Sequence, residues 1–149
     1  MPVTNVARFE RFFRVAAGLD IDKADLKRYS DFVHQKVHDL LIRGVANAKA
    51  NRRDIIQPQD LPITKGLQEC MHGFRDLDEE VELKPILEQL SALPRLELDY
   101  STETEARLPA IVGGISVALA RSFKILEPGL KNPQTLHWER AFQLFALLL

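Results

Sequence analysis

His34 and His38 have the residue type and the spacing from which a metal site could be built. Four residues apart on a helix, two imidazoles share one face and can reach the same ion. No glutamate completes an HExxH motif around them, and the spacing places no third ligand. We therefore interpret the pair as partly exposed helix histidines and expect neither a bound metal ion nor another cofactor.

Cys70 and His72 are close enough in the sequence to suggest a thiolate–imidazole pair. Residues two apart on a helix point away from each other, so we interpret Cys70 as a buried core thiol. The sequence also has no serine nucleophile motif and no glycine-rich phosphate loop after a strand. We predict that the protein is not an enzyme.

Charge is distributed unevenly along the 149 residues, although the net charge is only −1. Residues 1–75 carry 13 Lys and Arg against 9 Asp and Glu, and residues 76–149 carry 7 against 12. DNA-compacting proteins are usually strongly basic because each neutralised phosphate requires a cation. The balance disfavours DNA compaction and favours self-association or docking of one half on a charged partner.

The sequence shows no signal for export and none for a membrane. Its first residues lack a basic segment followed by an apolar one, and no apolar run reaches the roughly eighteen residues that a membrane helix needs. The single cysteine excludes an internal disulfide and fits a reducing compartment. We expect a cytoplasmic protein without a membrane partner.

A long helix is predicted over residues 23–50, where apolar residues recur at spacings of three and four. Asp22 is placed to cap its first turn. Two shorter helices flank it. One is predicted from a cap at Thr4 or Asn5 to Gly18, and the other, after a loop over residues 51–57, from Pro58 to about Gly73.

The order short, long, short returns after an acidic segment, residues 76–82, which we interpret as a hinge. The second set of helices is predicted over residues 84–93, over residues 102–126 and from Pro133 toward the end of the sequence. The long helix of this set is capped by Ser101 or Thr102, with Thr102 and Glu105 in capping-box spacing. Pro109 is expected to kink it or to separate its first turns from the rest.

The repetition predicts an all-α protein with two halves, residues 1–75 and 76–149, that share one core in a single compact domain. Trp138, Phe142 and Phe145 are assigned to that core. The three leucines at residues 147–149 are either buried there or presented to another subunit.

Arg53 and Asp60 are seven residues apart, with Ile55 and Ile56 between them as an extended pair. A guanidinium can bridge to a carboxylate held at a helix N-terminus and so order the loop. This motif and the repeated short–long–short helices resemble the histone fold over nearly the whole chain. The sequence is similar to the uncharacterised bacterial family of single-chain histone doublets. The resemblance implies two histone-fold triplets forming an intramolecular pseudodimer, in which Arg53 and Asp60 clamp a loop.

The second half departs from this pattern, because Pro128 and Thr135 stand where the Arg and the Asp of the clamp would be. Gly113 and Gly114 lie in the middle of its long helix, at a cost of about 1 kcal/mol each relative to alanine. We predict that they permit a close crossing of the two long helices. The other interpretation, tolerated flexibility, stays open.

Two functions remain after these exclusions. The first is a protein-interaction or architectural module whose partner is another protein or a second copy of the chain. The second is weak, non-specific DNA binding. The resemblance to histone pairs, which bind DNA through their loops and the N-termini of short helices, places its candidate residues in the basic half: Arg8, Arg11, Arg14, Lys49, Arg52 and Arg53.

Overall fold

A computed structural model describes the backbone of residues 3–81 and 96–149 and the side chains of residues 6–77 and 96–149. The short helix predicted over residues 84–93 lies outside these ranges. The described part is mostly helical, with two short strands, as the all-α prediction requires. Its elements are α1 (Val3–Ala17), α2 (Lys23–Ala50), β1 (Ile55–Ile56), a 3₁₀ turn (Pro58–Asp60), α3 (Lys65–Val81), β2 (Asp99–Tyr100), α4 (Thr102–Leu126) and α5 (Thr135–Leu148).

The start of α2 confirms the cap predicted at Asp22. The Asp22 carboxylate accepts a hydrogen bond from the backbone N–H of Asp25 at 3.0 Å, and the Asp25 carboxylate accepts one from the Asp22 N–H at 3.2 Å. This reciprocal pair satisfies two N–H groups that the helix itself cannot satisfy. The first turn of α2 is thereby fixed by local sequence.

The end of α2 is a Schellman motif in which Arg52 takes the left-handed position, with a φ of +58°. Its N–H donates to the carbonyl of Lys49 at 3.0 Å, and the N–H of Arg53 donates to the carbonyl of Ala48 at 2.9 Å. Glycine is the usual residue at this position because any Cβ is crowded there. Arg52 is therefore held in a conformation that its side chain disfavours.

The third helix differs from its prediction at both ends. Residues 58–60 form only a single 3₁₀ turn, and α3 begins at Lys65 after Thr64, whose hydroxyl accepts the N–H of Leu67 at 3.1 Å. Pro62 has no N–H to donate and disfavours helix in the residue before it, which delays the start. The helix also continues through Gly73 to Val81. The segment predicted as a hinge, residues 76–82, is thus helical as far as Val81.

The start of α4 corrects a second detail. Ser101 is the cap, and its hydroxyl accepts the N–H of Thr104 at 3.1 Å, so the predicted box of Thr102 and Glu105 is wrong by one residue. The helix runs without interruption through the buried Pro109, so no separate first segment is formed. This helix is long and apolar enough to cross a membrane, but 67% of its most apolar stretch is buried inside the protein. Such burial is typical of a core helix.

The described helices share one core. Aromatic side chains from four of them meet edge to face: Phe13 on α1 lies 5.3 Å from Tyr29 on α2 and 6.2 Å from Trp138 on α5, measured between ring centroids. Phe12 lies 6.4 Å from Phe74 on α3. All five rings are at most 2% exposed, so the two sets of helices do not form independent cores.

At each end of the long helices, the segment that follows one helix pairs with the segment that precedes the other. β1, which follows α2, lies parallel to β2, which precedes α4, with Ile55 opposite Asp99. At the other end, the N–H of Asp20 donates to the carbonyl of Lys131 at 2.7 Å. The end of each long helix therefore lies beside the start of the other, and α2 and α4 run in opposite directions.

Gly113 and Gly114 do permit a close helix approach, but not to the helix that was predicted. A Cβ on Gly113 would overlap the ring of Phe74, and one on Gly114 would lie 2.5 Å from Cγ of Met71. Both neighbours belong to α3. The atoms nearest to both glycines therefore belong to α3 and not to the other long helix, α2. Sequence alone does not show which helix fills the space that the glycines leave.

Candidate functional site

The predicted clamp is present. Arg53 Nη2 donates to Asp60 Oδ1 at 2.7 Å, and Arg53 Nη1 pairs with the other carboxylate oxygen. The N–H of Gln57 donates to Asp60 Oδ2 at 2.8 Å, and Asn47 donates from its side chain to the Asp60 carbonyl at 2.7 Å. Asp60 is 2% exposed. These contacts fix the loop against the end of α2 and leave the carboxylate no free oxygen for a ligand.

The ion pair shifts the pKa of both groups in the direction that favours their charged forms. The hydrogen bond from Arg53 lowers the pKa of the Asp60 carboxyl, against the raising effect of its burial. The same hydrogen bond raises the pKa of the Arg53 guanidinium. Both groups therefore stay charged at neutral pH, and the clamp has a structural role.

The six candidate DNA-binding residues do not form one surface. Lys49, Arg52 and Arg53 lie together at the β1 end. Arg14 is 3.5 Å from Asp20, whose backbone pairs with the loop at the opposite end. Arg8 and Arg11 are exposed nearer the start of α1. A duplex would have to contact two separate regions of the molecule to use all six.

Three of these cations are already paired with carboxylates. Lys49 Nζ forms an ion pair with Glu97 across the paired loops, Arg53 pairs with Asp60, and Arg14 pairs with Asp20. Asp99, on β2, adds an exposed carboxylate beside the same loop. Phosphates approaching this end would meet neutralised cations and nearby acids, which weakens their attraction.

The structure shows the surroundings of the two histidines and the cysteine considered in the sequence. Within residues 6–77 and 96–149, no group of three or more His, Cys, Asp and Glu side chains is placed to hold a metal ion. His34 and His38 are both half-buried on α2. Cys70 is half-buried too, and not in the core as predicted. Burial raises the pKa of its thiol, and the nearby Arg121 opposes that shift without cancelling it.

A polar cleft of about 440 Å³ lies where the starts of α2 and α5 meet. Arg28 Nη2 donates to Thr135 Oγ1 at 2.9 Å across it, and Arg28 Nη1 lies 3.6 Å from Asp25. Burial raises the pKa of the Asp25 carboxyl. These charged groups bind one another and join the two helices.

A second depression, here called the apolar groove, has a volume of about 470 Å³ and is bordered by α3, α4 and α5. Its lining is almost entirely hydrocarbon. Two of its polar side chains are engaged within the protein, because Thr64 accepts the N–H of Leu67 and Ser122 donates to the carbonyl of Leu119 at 2.6 Å. The side chains that line it include Leu67, Cys70, Ala118, Arg121, Leu144 and Phe145.

Large apolar side chains project into solvent around this groove. Ile125, at the end of α4, is 81% exposed, and Leu147 and Leu148, at the end of α5, are 83% and 76% exposed. Ile125 and Leu148 also line the groove itself. These side chains extend the apolar surface of the groove beyond its own lining.

The sequence singled out the leucines but missed Ile125. On a buried helix, a periodic apolar pattern does not show which residue of the last turn lies beyond the core. Trp138 and Phe145, assigned to the core, are 1% and 9% exposed. Phe142 is partly buried and stacks on Phe32 at 4.6 Å between centroids.

Comparison with known proteins connects these features to a family. A family model described as a domain of unknown function, DUF1931, matches residues 9–146. The chain belongs to this family. The match includes the clamp and most of the apolar groove, so both lie within the family domain.

Similar proteins are found in Aquifex aeolicus and Thermus thermophilus. A protein of Aquifex aeolicus (strain VF5), described as uncharacterized, is 35% identical over 136 residues, which cover 80% of this chain and 77% of that protein. A crystal structure of a Thermus thermophilus protein is 55% identical, with a TM-score of 0.85 over 97% of each chain. A 1.9 Å crystal structure of an Aquifex aeolicus protein has a TM-score of 0.84 at 21% identity over 97% of this chain and 95% of that one, and shows the shared fold alone.

Proposed function

We propose that this DUF1931 protein is a single-chain histone-fold pseudodimer that acts as a protein-interaction module without catalytic activity, in the cytoplasm. Support for the pseudodimer comes from the antiparallel long helices, the loop pairing at both ends and the Arg53–Asp60 clamp. The resemblance to histones implies the same arrangement, which a histone pair forms between two chains.

The observation that carries the interaction function is the apolar surface at the groove. Ile125, Leu147 and Leu148 are each more than three-quarters exposed, and they adjoin a concave hydrocarbon wall. Burying apolar surface contributes roughly 25 cal/mol per Å². A protein partner that covered this surface would bury both the projecting side chains and the wall of the groove, as in helix-in-groove recognition.

The test is a pull-down from an extract of the native cells, with and without nuclease, using the wild type and Ile125→Asp. Ile42→Asp is the matched control, because Ile42 is an exposed isoleucine on α2 that is not part of the groove. We expect a partner that is captured after nuclease treatment by the wild type and by Ile42→Asp, and lost from Ile125→Asp. Capture that depends on nucleic acid would contradict the proposal.

DNA binding is the second candidate, and one observation favours it. Arg52 is exposed, occupies a left-handed position where glycine would be less strained, and has no described carboxylate within ion-pair distance. A strained arginine facing solvent is a reason to test for a function. Retardation of duplex DNA that survives near-physiological salt and disappears in Arg52→Gly would favour this candidate.

A further inference from the structure

We propose that His137 is a proton-sensitive cap of α5. While its ring is neutral, it holds the first turn of the helix, and when the ring is protonated it releases that turn and pairs with Glu127 at the end of α4. The inference goes beyond the proposed interaction function. It rests on the groups that contact the two ring nitrogens and on the place of this turn in the fold.

The two ring nitrogens of His137 contact different kinds of group. Nδ1 accepts a hydrogen bond from the backbone N–H of Gln134, the residue that precedes α5, at 2.9 Å. Nε2 lies 3.5 Å from Oε2 of Glu127. In a neutral imidazole one nitrogen donates and the other accepts. The proton therefore lies on Nε2, facing a carboxylate, and the lone pair of Nδ1 accepts from the backbone.

Protonation of the ring is incompatible with the bond to Gln134. An imidazolium carries an N–H at both nitrogens and has no acceptor. Its Nδ1–H would point at the N–H of Gln134, so this hydrogen bond must break. The positive charge also strengthens the attraction of Nε2–H to the Glu127 carboxylate. Gain of a proton thus exchanges a bond at the start of α5 for an ion pair with the end of α4.

The charges on α4, on the turn and on α5 act in both directions on His137. Glu127 favours the protonated ring and is its one ion-pair partner among the described residues. Lys124, in the last turn of α4, donates to a backbone carbonyl of the following turn and so is held there, and Lys131 in that turn is exposed. Arg140, one turn farther along α5, disfavours a second cation, as does the positive end of the helix dipole.

The helix packed on the other side, α2, presents a cation and an acid close together. Arg28 Nη2 donates to Thr135 Oγ1 at 2.9 Å, and Arg28 Nη1 lies 3.6 Å from Asp25. These opposite charges largely offset each other at the start of α5. The protonation of His137 therefore depends chiefly on the choice between the Gln134 N–H and the Glu127 carboxylate.

The first turn of α5 is also a wall of the polar cleft. Gln134 and Thr135 both line this cleft, and the bond from Arg28 to Thr135 crosses it. Release of the Gln134 N–H loosens the turn that carries these contacts, so the cleft opens on acidification. The change stays local because the next core residue, Trp138, is 1% exposed and packs on Phe123 at 4.8 Å between ring centroids.

A nuclear magnetic resonance titration of the whole chain from about pH 8 to about pH 5, the range in which histidines change charge, tests the cap. At the upper end we expect the ring nitrogen shifts of the tautomer that is protonated at Nε2. The amide proton of Gln134 should move upfield as its hydrogen bond is lost, with the same midpoint as the His137 ring. A neutral ring protonated at Nδ1, or a Gln134 amide that does not follow the ring, overturns the inference.

His137→Gln is the matched control. A glutamine three residues after the cap position can accept the same backbone N–H, as in a capping box, but it does not titrate. The Gln134 amide should therefore stay in place across the pH range in this variant. A Gln134 amide that still titrates would respond to one of the other three of the four histidines, and the inference would be wrong.

Glu127→Gln tests the second half of the exchange. It removes the charge that attracts the imidazolium, so the midpoint of the His137 titration should move to lower pH. An unchanged midpoint would show that the protonated ring does not pair with Glu127, which contradicts the exchange.

The opening of the cleft has its own readout. The side-chain Nε–H resonance of Arg28 should shift with the same midpoint in the wild type and stay constant in His137→Gln. The far-ultraviolet circular dichroism spectrum should not change over this range, because only one turn is released. A constant Arg28 resonance in the wild type, or unfolding of the whole chain above about pH 5, would overturn the local opening.

Discussion

The hydroxyl of Tyr29 on α2 lies 2.5 Å from Oγ of Ser116 on α4, in the interior between the two long helices. Ser116 donates to the carbonyl of Val112 at 2.7 Å, so its oxygen is free to accept the proton of Tyr29. Burial raises the pKa of the Tyr29 phenol, which keeps it neutral and able to donate. The two long helices are thus joined by a polar contact within an apolar core.

Removing one partner of this contact should destabilise the fold. Ser116→Ala leaves the buried Tyr29 hydroxyl without its acceptor, and we expect a loss of about 1–3 kcal/mol in the free energy of unfolding. Tyr29→Phe also removes the polar atom that needs a partner, so its cost should be smaller. Urea unfolding of both variants measures the difference.

The double variant Tyr29→Phe with Ser116→Ala provides the control. Because both polar groups are then absent, its loss in the free energy of unfolding should be smaller than the sum of the two single losses. It should lie close to the loss of Tyr29→Phe alone. Strict additivity would show that the hydroxyl groups do not interact.

The Arg53–Asp60 clamp should make stability depend on pH in the acid range. Folding lowers the pKa of Asp60, so its contribution is present above the unfolded pKa of about 3.9. That contribution is lost as the pH falls through the lower folded value. Asp60→Asn should be less stable than the wild type at pH 7, and the difference should shrink below about pH 4.

Thermal melts of both proteins from about pH 7 to about pH 2 give this difference directly. The comparison isolates Asp60 from Asp25, whose raised pKa acts in the opposite direction in both proteins. Arg53→Lys is a second check, since an ammonium cannot reproduce the two-point contact with the carboxylate. A difference between Asp60→Asn and the wild type that is constant with pH would contradict the proposed linkage.

Much of this fold could be predicted from local sequence, because its determinants are local. The cap at Asp22 needs only residues within one turn, and the clamp needs only a seven-residue spacing. The α3 boundaries could not be predicted in the same way. Pro58 is typical of a first helical turn, but Pro62 also delays the helix. Glycine is common just past the end of a helix and is also tolerated inside one, so Gly73 does not by itself mark the end.

Gly73 lies where Arg121 of α4 approaches α3, since the guanidinium would be 3.0 Å from a Cβ on Gly73. The candidate site depends on such distant contacts as well. Arg121 and Leu148 are separated by 27 residues, yet both line the apolar groove. The sequence left open whether the terminal leucines are buried in the core or presented to another subunit. Only the packing of α3, α4 and α5 shows that they border a hollow.

Gly113 should not tolerate even a methyl group. Gly113→Ala would make its Cβ overlap the ring of Phe74, which is 2% exposed and packs on Phe12 at 6.4 Å between ring centroids. We expect a loss of about 1–3 kcal/mol from this overpacking, despite the higher helix propensity of alanine.

Gly66→Ala is the matched control on α3, since a Cβ there would have no neighbour within 4 Å. It should be as stable as the wild type or more stable by up to about 1 kcal/mol. Equal melting temperatures for the two variants would show that the close approach of α3 to α4 is not tight in solution.

The ion pair between Lys49 and Glu97 should limit DNA binding by the paired loops. Glu97→Gln removes the carboxylate and frees Lys49 to contact a phosphate beside Arg52. We expect tighter retardation of duplex DNA at low salt, with the slope of log K against log salt steeper by about one unit. Lys49→Gln in the same background should abolish the gain, whereas Glu103→Gln, which removes an exposed carboxylate on α4, should raise affinity less. Affinity unchanged by Glu97→Gln would show that Lys49 does not face the DNA.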